Sequence, residues 1–145
     1  MLWFWAALLG ASMWGMGYAL SDHTMKQGIS VTAMLAFSGL VLTPFYTFLA
    51  YQNGTLQKGI RLLRADNKLV IYLAIIIACY GCANVLTYWS IKEKNATLSS
   101  MIEIAYPFFT AIFIWLIFGE NQLTLNSTIG GVLIFSGIAM IYLGK

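Results

Sequence analysis

The sequence predicts an all-α integral membrane protein with five transmembrane helices. Of its 145 residues, 60% are hydrophobic and 9% are charged, whereas charged residues make up about 25% of soluble domains. Five apolar runs each approach the roughly 20 residues that a helix needs to cross a bilayer. The connections between the runs are short and leave no room for a soluble domain. The whole chain, residues 1–145, is therefore predicted to form a single five-span transmembrane domain.

The five predicted spans cover about residues 2–20, 29–51, 69–90, 97–118 and 125–143. A polar segment from Ser21 to Gly28 predicts a turn between the first two spans. Pro44 lies inside the second span and predicts a kink there, because proline removes one backbone donor. In the last span, Thr124 or Asn126 is expected to cap the N-terminus of the helix.

The connection between the second and third spans, residues 51–68, is the longest and the most basic. In helical spacing its apolar residues share one face, whereas its basic residues lie elsewhere on the helix. This pattern is typical of a short helix that lies on a membrane surface. The apolar residues are Leu56, Ile60 and Leu63, and the basic ones are Lys58, Arg61 and Arg64. A nucleic-acid partner is not needed to explain these charges.

The fourth span contains one charged residue, Glu103, with Pro107 four residues further on. A carboxylate near the middle of a membrane costs roughly 2.5–3.5 kcal/mol on insertion scales, so such acids are candidates for a functional site. Proline has no N–H to donate to the carbonyl four residues earlier, and that carbonyl belongs to Glu103. We predict a break near Pro107 with Glu103 as a substrate or proton site. The alternative is a packed kink in which Glu103 bonds to a hydroxyl.

Polar and aromatic side chains recur at helical spacing on the third and fourth spans. Two such stripes on adjacent helices predict a shared cavity, and hydrogen bonding between the helices is the alternative explanation. Aromatic faces near a carboxylate would suit an organic cation. The predicted substrate- or proton-binding residues are Glu103, Tyr106, Thr110, Tyr80, Asn84, Tyr88 and Trp14.

The sequence offers no enzyme active site and no cofactor or metal site. Cys79 and Cys82 form a CxxC pair in the middle of the third span, and the chain contains a single histidine. Redox or zinc chemistry needs exposed thiolates or further ligands. We therefore interpret both cysteines as small buried residues, and we expect a small-molecule substrate and membrane lipid as partners.

The segment from Ala96 to Ile138 carries a recognisable set of motifs. It has a central proline (Pro107), a Gly-Glu pair at the end of the span (Gly119 and Glu120), a Leu-Thr pair, and a glycine-rich closing span. These motifs resemble the second half of an EamA-type repeat of the drug/metabolite transporter superfamily, and the five-span count agrees over the whole chain. The resemblance implies a single EamA-like repeat that transports a small metabolite, organic cation or drug by alternating access, for example in efflux.

The chain is also similar to the small multidrug resistance proteins. Those proteins dimerise through glycines seven residues apart in the last span, as Gly130 and Gly137 are here, so the resemblance implies a dimer seam at these two residues. Their essential acid lies in the first span, whereas this chain has Ser12 in the matching region and no acid. Their proton-coupled antiporter mechanism therefore cannot simply be assumed for this chain. Glu103, on another helix, is the candidate for the role of the essential acid.

The distribution of lysine and arginine predicts an antiparallel homodimer with dual topology. With five spans, four basic residues fall on each side of the membrane, and this tie gives no orientation bias. Four charges in one connection argue instead for a fixed orientation. We expect a multi-pass protein of a prokaryotic inner membrane. The alternative function is a non-transporting subunit that stabilises a larger efflux or lipid-carrier flippase complex.

Overall fold

The computed structural model describes residues 2–121 and 123–144. Every regular element in this part of the chain is an α-helix, as the sequence predicts. The helices are α1 (Leu2–Lys26), α2 (Val31–Gln52), α3 (Thr55–Ala65), α4 (Asn67–Glu93), α5 (Ala96–Glu103), α6 (Tyr106–Phe118) and α7 (Leu125–Leu143).

Four helical segments among the described residues are long and apolar enough to cross a membrane. They are α2, α4, the segment Ala96–Phe118 that contains α5 and α6, and α7. The fifth predicted span corresponds to α1, which has the necessary length of 25 residues. Its tryptophans, tyrosine and glycines lower its hydropathy below that of the other four. The structure therefore supports four candidate spans, and the fifth stays a prediction.

The surface of the helices is largely apolar. Among the described residues, only four hydrophobic side chains are buried, namely Met25, Ile91, Ala96 and Ala105. Large side chains such as Phe37, Ile77 and Trp115 are more than half exposed, at 64%, 63% and 61%. Soluble proteins rarely expose contiguous apolar patches of this extent. These surfaces therefore face lipid or other helices. The prediction that Cys79 and Cys82 are buried is wrong for the single chain, because both are exposed on α4.

The predicted polar turn from Ser21 to Gly28 is wrong in its extent, because α1 continues to Lys26. Ser21 and Met25 are both buried, and their four-residue spacing places them on one face of a continuing helix. Packing of this face holds the polar segment in helical form. The turn is confined to Gln27 and Gly28, where Gly28 adopts a φ of 102° that favours glycine.

The chain divides into two compact units. The first unit comprises Met1–Asp22 and Glu93–Lys145, and the second comprises His23–Lys92. In the second unit, α2 runs through Pro44 without interruption. Two residues separate α2 from α3, and Gly54 takes a φ of 65° there, while the Thr55 hydroxyl donates to the Ala50 carbonyl over 3.2 Å. The short amphipathic helix that the sequence predicts is present as α3.

In the first unit, side chains cap the helices that surround Pro107. The Asn95 side chain accepts a hydrogen bond of 2.8 Å from the Leu98 amide at the start of α5. Thr124 caps α7 as one of the two predicted residues, and its hydroxyl accepts from the Ser127 amide at 3.2 Å. The Ser127 hydroxyl accepts in return from the Thr124 amide at 2.8 Å. This reciprocal arrangement satisfies two amides that would otherwise lack helical partners.

Removal of the Thr124 cap should lower the stability of the folded chain. We expect Thr124→Ala to lower the free energy of unfolding by about 1 kcal/mol, because it removes the acceptor for the Ser127 amide. Denaturation in detergent, followed by circular dichroism, measures this loss. Thr124→Ser retains the hydroxyl and should unfold like the wild type, so an equal loss in both variants would contradict the role of the cap.

Candidate functional site

The fourth span is interrupted at the position of its acid and its proline. Helix α5 ends at Glu103, residues 104 and 105 form a turn, and α6 begins at Tyr106. The Ile104 amide donates to the Ser100 carbonyl at 3.2 Å, whereas the Ala105 amide donates three residues back to Ile102 at 3.1 Å. The hydrogen-bond register therefore tightens within the turn. Pro107 occupies the first turn of α6, where its missing N–H is tolerated.

Glu103 lies at this break as the last residue of α5 and is partly buried. The C-terminal end of a helix carries a partial negative charge. The carboxylate and the end of α5 therefore both favour a cation at this level, and the positive N-terminal end of α6 opposes them. Secondary transporters place discontinuous helices at their substrate and ion sites. Here the backbone of Ile104 and Ala105 stays in the right-handed helical region, so the interruption is one of hydrogen bonding and not of chain direction.

Tyr106 and Thr110 continue from the break along α6. Tyr106 is 65% exposed, so its ring and hydroxyl are accessible in the single chain. The Thr110 hydroxyl donates to the Tyr106 carbonyl at 3.0 Å, and its oxygen keeps lone pairs for a further donor. In the same unit, Trp14 lies on α1, is 58% exposed and contacts the Tyr18 ring at a centroid distance of 5.6 Å.

The other predicted site residues belong to the second unit, on α4. Tyr80 is 68% exposed, whereas Asn84 and Tyr88 are partly buried. The Asn84 amide donates to the Tyr80 carbonyl at 2.8 Å. This bond lies within one helix, as does the bond of Thr110, and neither is the interhelical hydrogen bond considered as an alternative. The cavity shared by the two stripes stays a prediction.

The structure contains an apolar cavity of about 210 Å³ beside the break, in the first unit. It lies between the turn before α6 and the first half of α7, and Ser127 and Thr128 contribute its few polar atoms. This volume is below the roughly 300–1,000 Å³ of typical small-molecule sites. It suits an apolar side chain or a small apolar group. The lining residues are Ile104, Ala105, Pro107, Phe108, Leu123, Ser127, Thr128, Gly130, Gly131, Ile134 and Phe135.

Three lining residues, which the sequence analysis did not single out, pack α6 against α7. The Phe108 and Phe135 rings meet edge to face with centroids 4.8 Å apart. A Cβ at Gly131 would lie 3.7 Å from Phe108 Cδ2, an ordinary contact distance. An alanine at position 131 would therefore contact the Phe108 ring without displacing it, and the approach of the ring to α7 does not require glycine there. The signal in the sequence for this packing was the Gly130–Gly131 pair. Two adjacent glycines leave two different faces of a helix without side chains.

The two glycines of the predicted dimer seam leave open space around them. A Cβ built at Gly130 or at Gly137 meets nothing within 4 Å. Gly130 also lines the cavity. Their role in a dimer stays a prediction that the single chain does not test.

The helices described above define a multi-pass membrane protein with a broken span, a feature of transporters. The chain belongs to the EamA-like transporter family, whose match covers residues 1–143. This agrees with the resemblance that its motifs carry, and it puts the chain in a class of transporters and not of enzymes.

One curated relative is a protein named UDP-galactose transporter homolog 1, from the yeast Kluyveromyces lactis. It is 24% identical to this chain over 146 residues, which cover 95% of this chain and 42% of the relative. The chain thus spans less than half the length of that relative. No solved structure matches the chain.

Restoring the backbone donor should join α5 to α6. In Pro107→Ala, residue 107 gains an N–H that is able to donate to the Glu103 carbonyl. One added backbone hydrogen bond contributes about 1 kcal/mol, so we expect exchange of the amides of residues 104–106, which are present in both proteins, to slow about fivefold. Hydrogen exchange in detergent measures this change. Pro44→Ala, in the uninterrupted α2, is the matched control, and an effect of similar size at 104–106 in that variant would contradict the local explanation.

Proposed function

We propose that the chain transports a small metabolite or organic cation across the membrane by alternating access, with Glu103 as the cation- or proton-binding group. The observation that carries the proposal is the interruption of the fourth span directly after Glu103. A helix break in a membrane is tolerated where other protein or a water-lined cavity satisfies the backbone. Family membership supports transport as the general activity.

The charge at this site favours a cation over an anion. A carboxylate at Glu103 and the C-terminal end of α5 would together favour a cation against the opposing N-terminal end of α6, and Tyr106 offers an aromatic face three residues away in sequence that is able to contact a cation. The sequence places its eight basic residues near helix ends, in α3 or in connections, outside the apolar interior of the spans. A nucleotide sugar carries a negatively charged diphosphate. We therefore do not assign to this chain the substrate in the name of its yeast relative.

Neutralisation of Glu103 should abolish coupling. We expect Glu103→Gln to lower flux of an organic cation at least tenfold, because a hydrogen bond to a charged group contributes about 1.5–3 kcal/mol and the amide retains shape without charge. The measurement is uptake into proteoliposomes of the purified protein, with a panel of organic cations and with UDP-galactose, in the presence and absence of a pH gradient.

The control for this experiment is Glu93→Gln, at the exposed end of α4. It removes the same charge from a position outside the apolar run and should leave flux unchanged. Wild-type flux in Glu103→Gln would rule out the coupling role and leave Glu103 as a packing residue. Uptake of UDP-galactose in place of cations would overturn the assignment of substrate class. Absence of any flux without a second chain would favour the accessory-subunit function.

We further propose that five spans, with α1 as the first, assemble as an antiparallel homodimer. The equal distribution of basic residues supports insertion in both orientations. The open space around Gly130 and Gly137 supports close approach of a second α7, since small residues allow helix backbones to pack tightly in membranes.

Bulky residues in the seam should separate the protomers. We expect the double variant Gly130→Leu, Gly137→Leu to raise the dissociation constant of the dimer by an order of magnitude or more. The leucine side chains would overlap with the partner helix where the two backbones are otherwise in contact. Fluorescence energy transfer between labelled chains in lipid measures the dissociation. Gly39→Leu in α2, also with open space around it, is the control. Unchanged transfer in the double variant would exclude this seam.

A further inference from the structure

Helix α3 combines a basic face with an apolar face in the second unit. Lys58, Arg61 and Arg64 are exposed, and their three-residue spacing keeps them within an arc of about 120° at 100° per residue. Helix α3 contains no acidic residue. The arc of these three residues is called the basic face of α3 below.

The apolar side of α3 is separate from the basic face, with the centres of the two arcs about 130° apart around the helix. Leu56 and Leu63 are partly buried, whereas Ile60 is 43% exposed, and the three fall within about 60° of each other around the helix. Leu62 is 50% exposed and lies about 100° from the nearest residue of this stripe, on the side of Lys58. In this 11-residue helix the apolar and basic side chains lie on different faces. Its exposed apolar surface is therefore available to contact the acyl region of a membrane. Helices of this pattern lie in the plane of a membrane interface.

The connections of α3 hold it close to the bilayer. Asn53 and Gly54 alone separate it from α2, and Asp66 alone separates it from α4. Because α2 and α4 are candidate spans, the end of one and the start of the other lie at the same membrane surface. The Asp66 carboxylate accepts from the Lys68 amide at 2.8 Å, which fixes the turn into α4. The basic face is therefore confined to the layer of lipid headgroups.

We propose that the basic face of α3 binds anionic phospholipid headgroups. The charge is complementary to the phosphate of the headgroup, the apolar side enters the acyl region, and the connections leave little freedom to reach a partner in solution. Arginine is able to donate two parallel hydrogen bonds to a phosphate. Each basic residue near an anionic membrane strengthens binding about fivefold. This proposal does not depend on transport or on Glu103.

The test uses the purified full-length chain in detergent, with phosphatidylglycerol or phosphatidylcholine added and bound lipids counted by native mass spectrometry. We expect the wild type to prefer phosphatidylglycerol at least tenfold. Lys58→Gln, Arg61→Gln and Arg64→Gln together should remove that preference. Arg61→Lys with Arg64→Lys keeps the charge and should retain most of it.

The matched control removes three charges elsewhere, through Lys26→Gln, Lys92→Gln and Lys94→Gln, and should keep the preference. Salt supplies a test that needs no variant, since screening at about 1 M shortens the Debye length to about 3 Å and should weaken the wild-type preference. The proposal is overturned if the α3 triple variant still prefers phosphatidylglycerol, if the control loses the preference equally, or if salt has no effect. Complete displacement of the lipid by equimolar inorganic phosphate would also overturn it, because the face would then bind free anions.

Discussion

The absence of one N–H group, at Pro107, shapes the part of the molecule that surrounds Glu103. In lipid, an unsatisfied backbone group costs several kcal/mol. The carbonyl that a proline leaves without its helical donor must therefore be satisfied by nearby groups. Here α5 ends four residues before Pro107, the register shortens to a three-residue step at Ala105, and a new helix begins with Pro107 in its first turn. The second proline, Pro44, lies within a helix that is not interrupted. Proline alone therefore does not determine where a span breaks.

Most of the helical framework could be predicted from the sequence, because apolar run length is a direct consequence of bilayer thickness. The span predicted at 97–118 corresponds to the segment Ala96–Phe118, and the one at 125–143 has the bounds of α7. The end of α1 was missed because Ser21, Asp22 and His23 have the composition of a turn. Burial of Ser21 and Met25 on one face depends on packing, which local composition does not encode.

The candidate site could be predicted less completely than the framework. The four-residue reach of a helical hydrogen bond predicts from the sequence that Pro107 leaves the Glu103 carbonyl without its donor, whereas the uninterrupted α2 around Pro44 shows that the sequence alone does not predict where a helix is interrupted. The contact between the Phe108 and Phe135 rings depends on the rotation of α7 about its axis. Spacing predicts that Gly130 and Gly137 share a face, but it does not predict which face of α7 meets α6. Likewise, the stripe pattern left open whether Asn84 faces a cavity or bonds to another helix, and it did not indicate the bond within α4 from the Asn84 side chain to the Tyr80 carbonyl.

The unequal lengths of the helices have a consequence for the membrane in which the chain resides. Helix α4 has 27 residues and α7 has 19, so at 1.5 Å per residue they extend about 40 Å and about 28 Å. A hydrocarbon core of about 30 Å matches α7 upright, whereas α4 must tilt or extend its polar ends, Asn67 and Glu93, into the headgroups. Hydrophobic mismatch costs fractions of a kcal/mol per ångström. Bilayer thickness therefore affects α4 and α7 in opposite ways. A thicker membrane reduces the hydrophobic mismatch of α4 and increases that of α7.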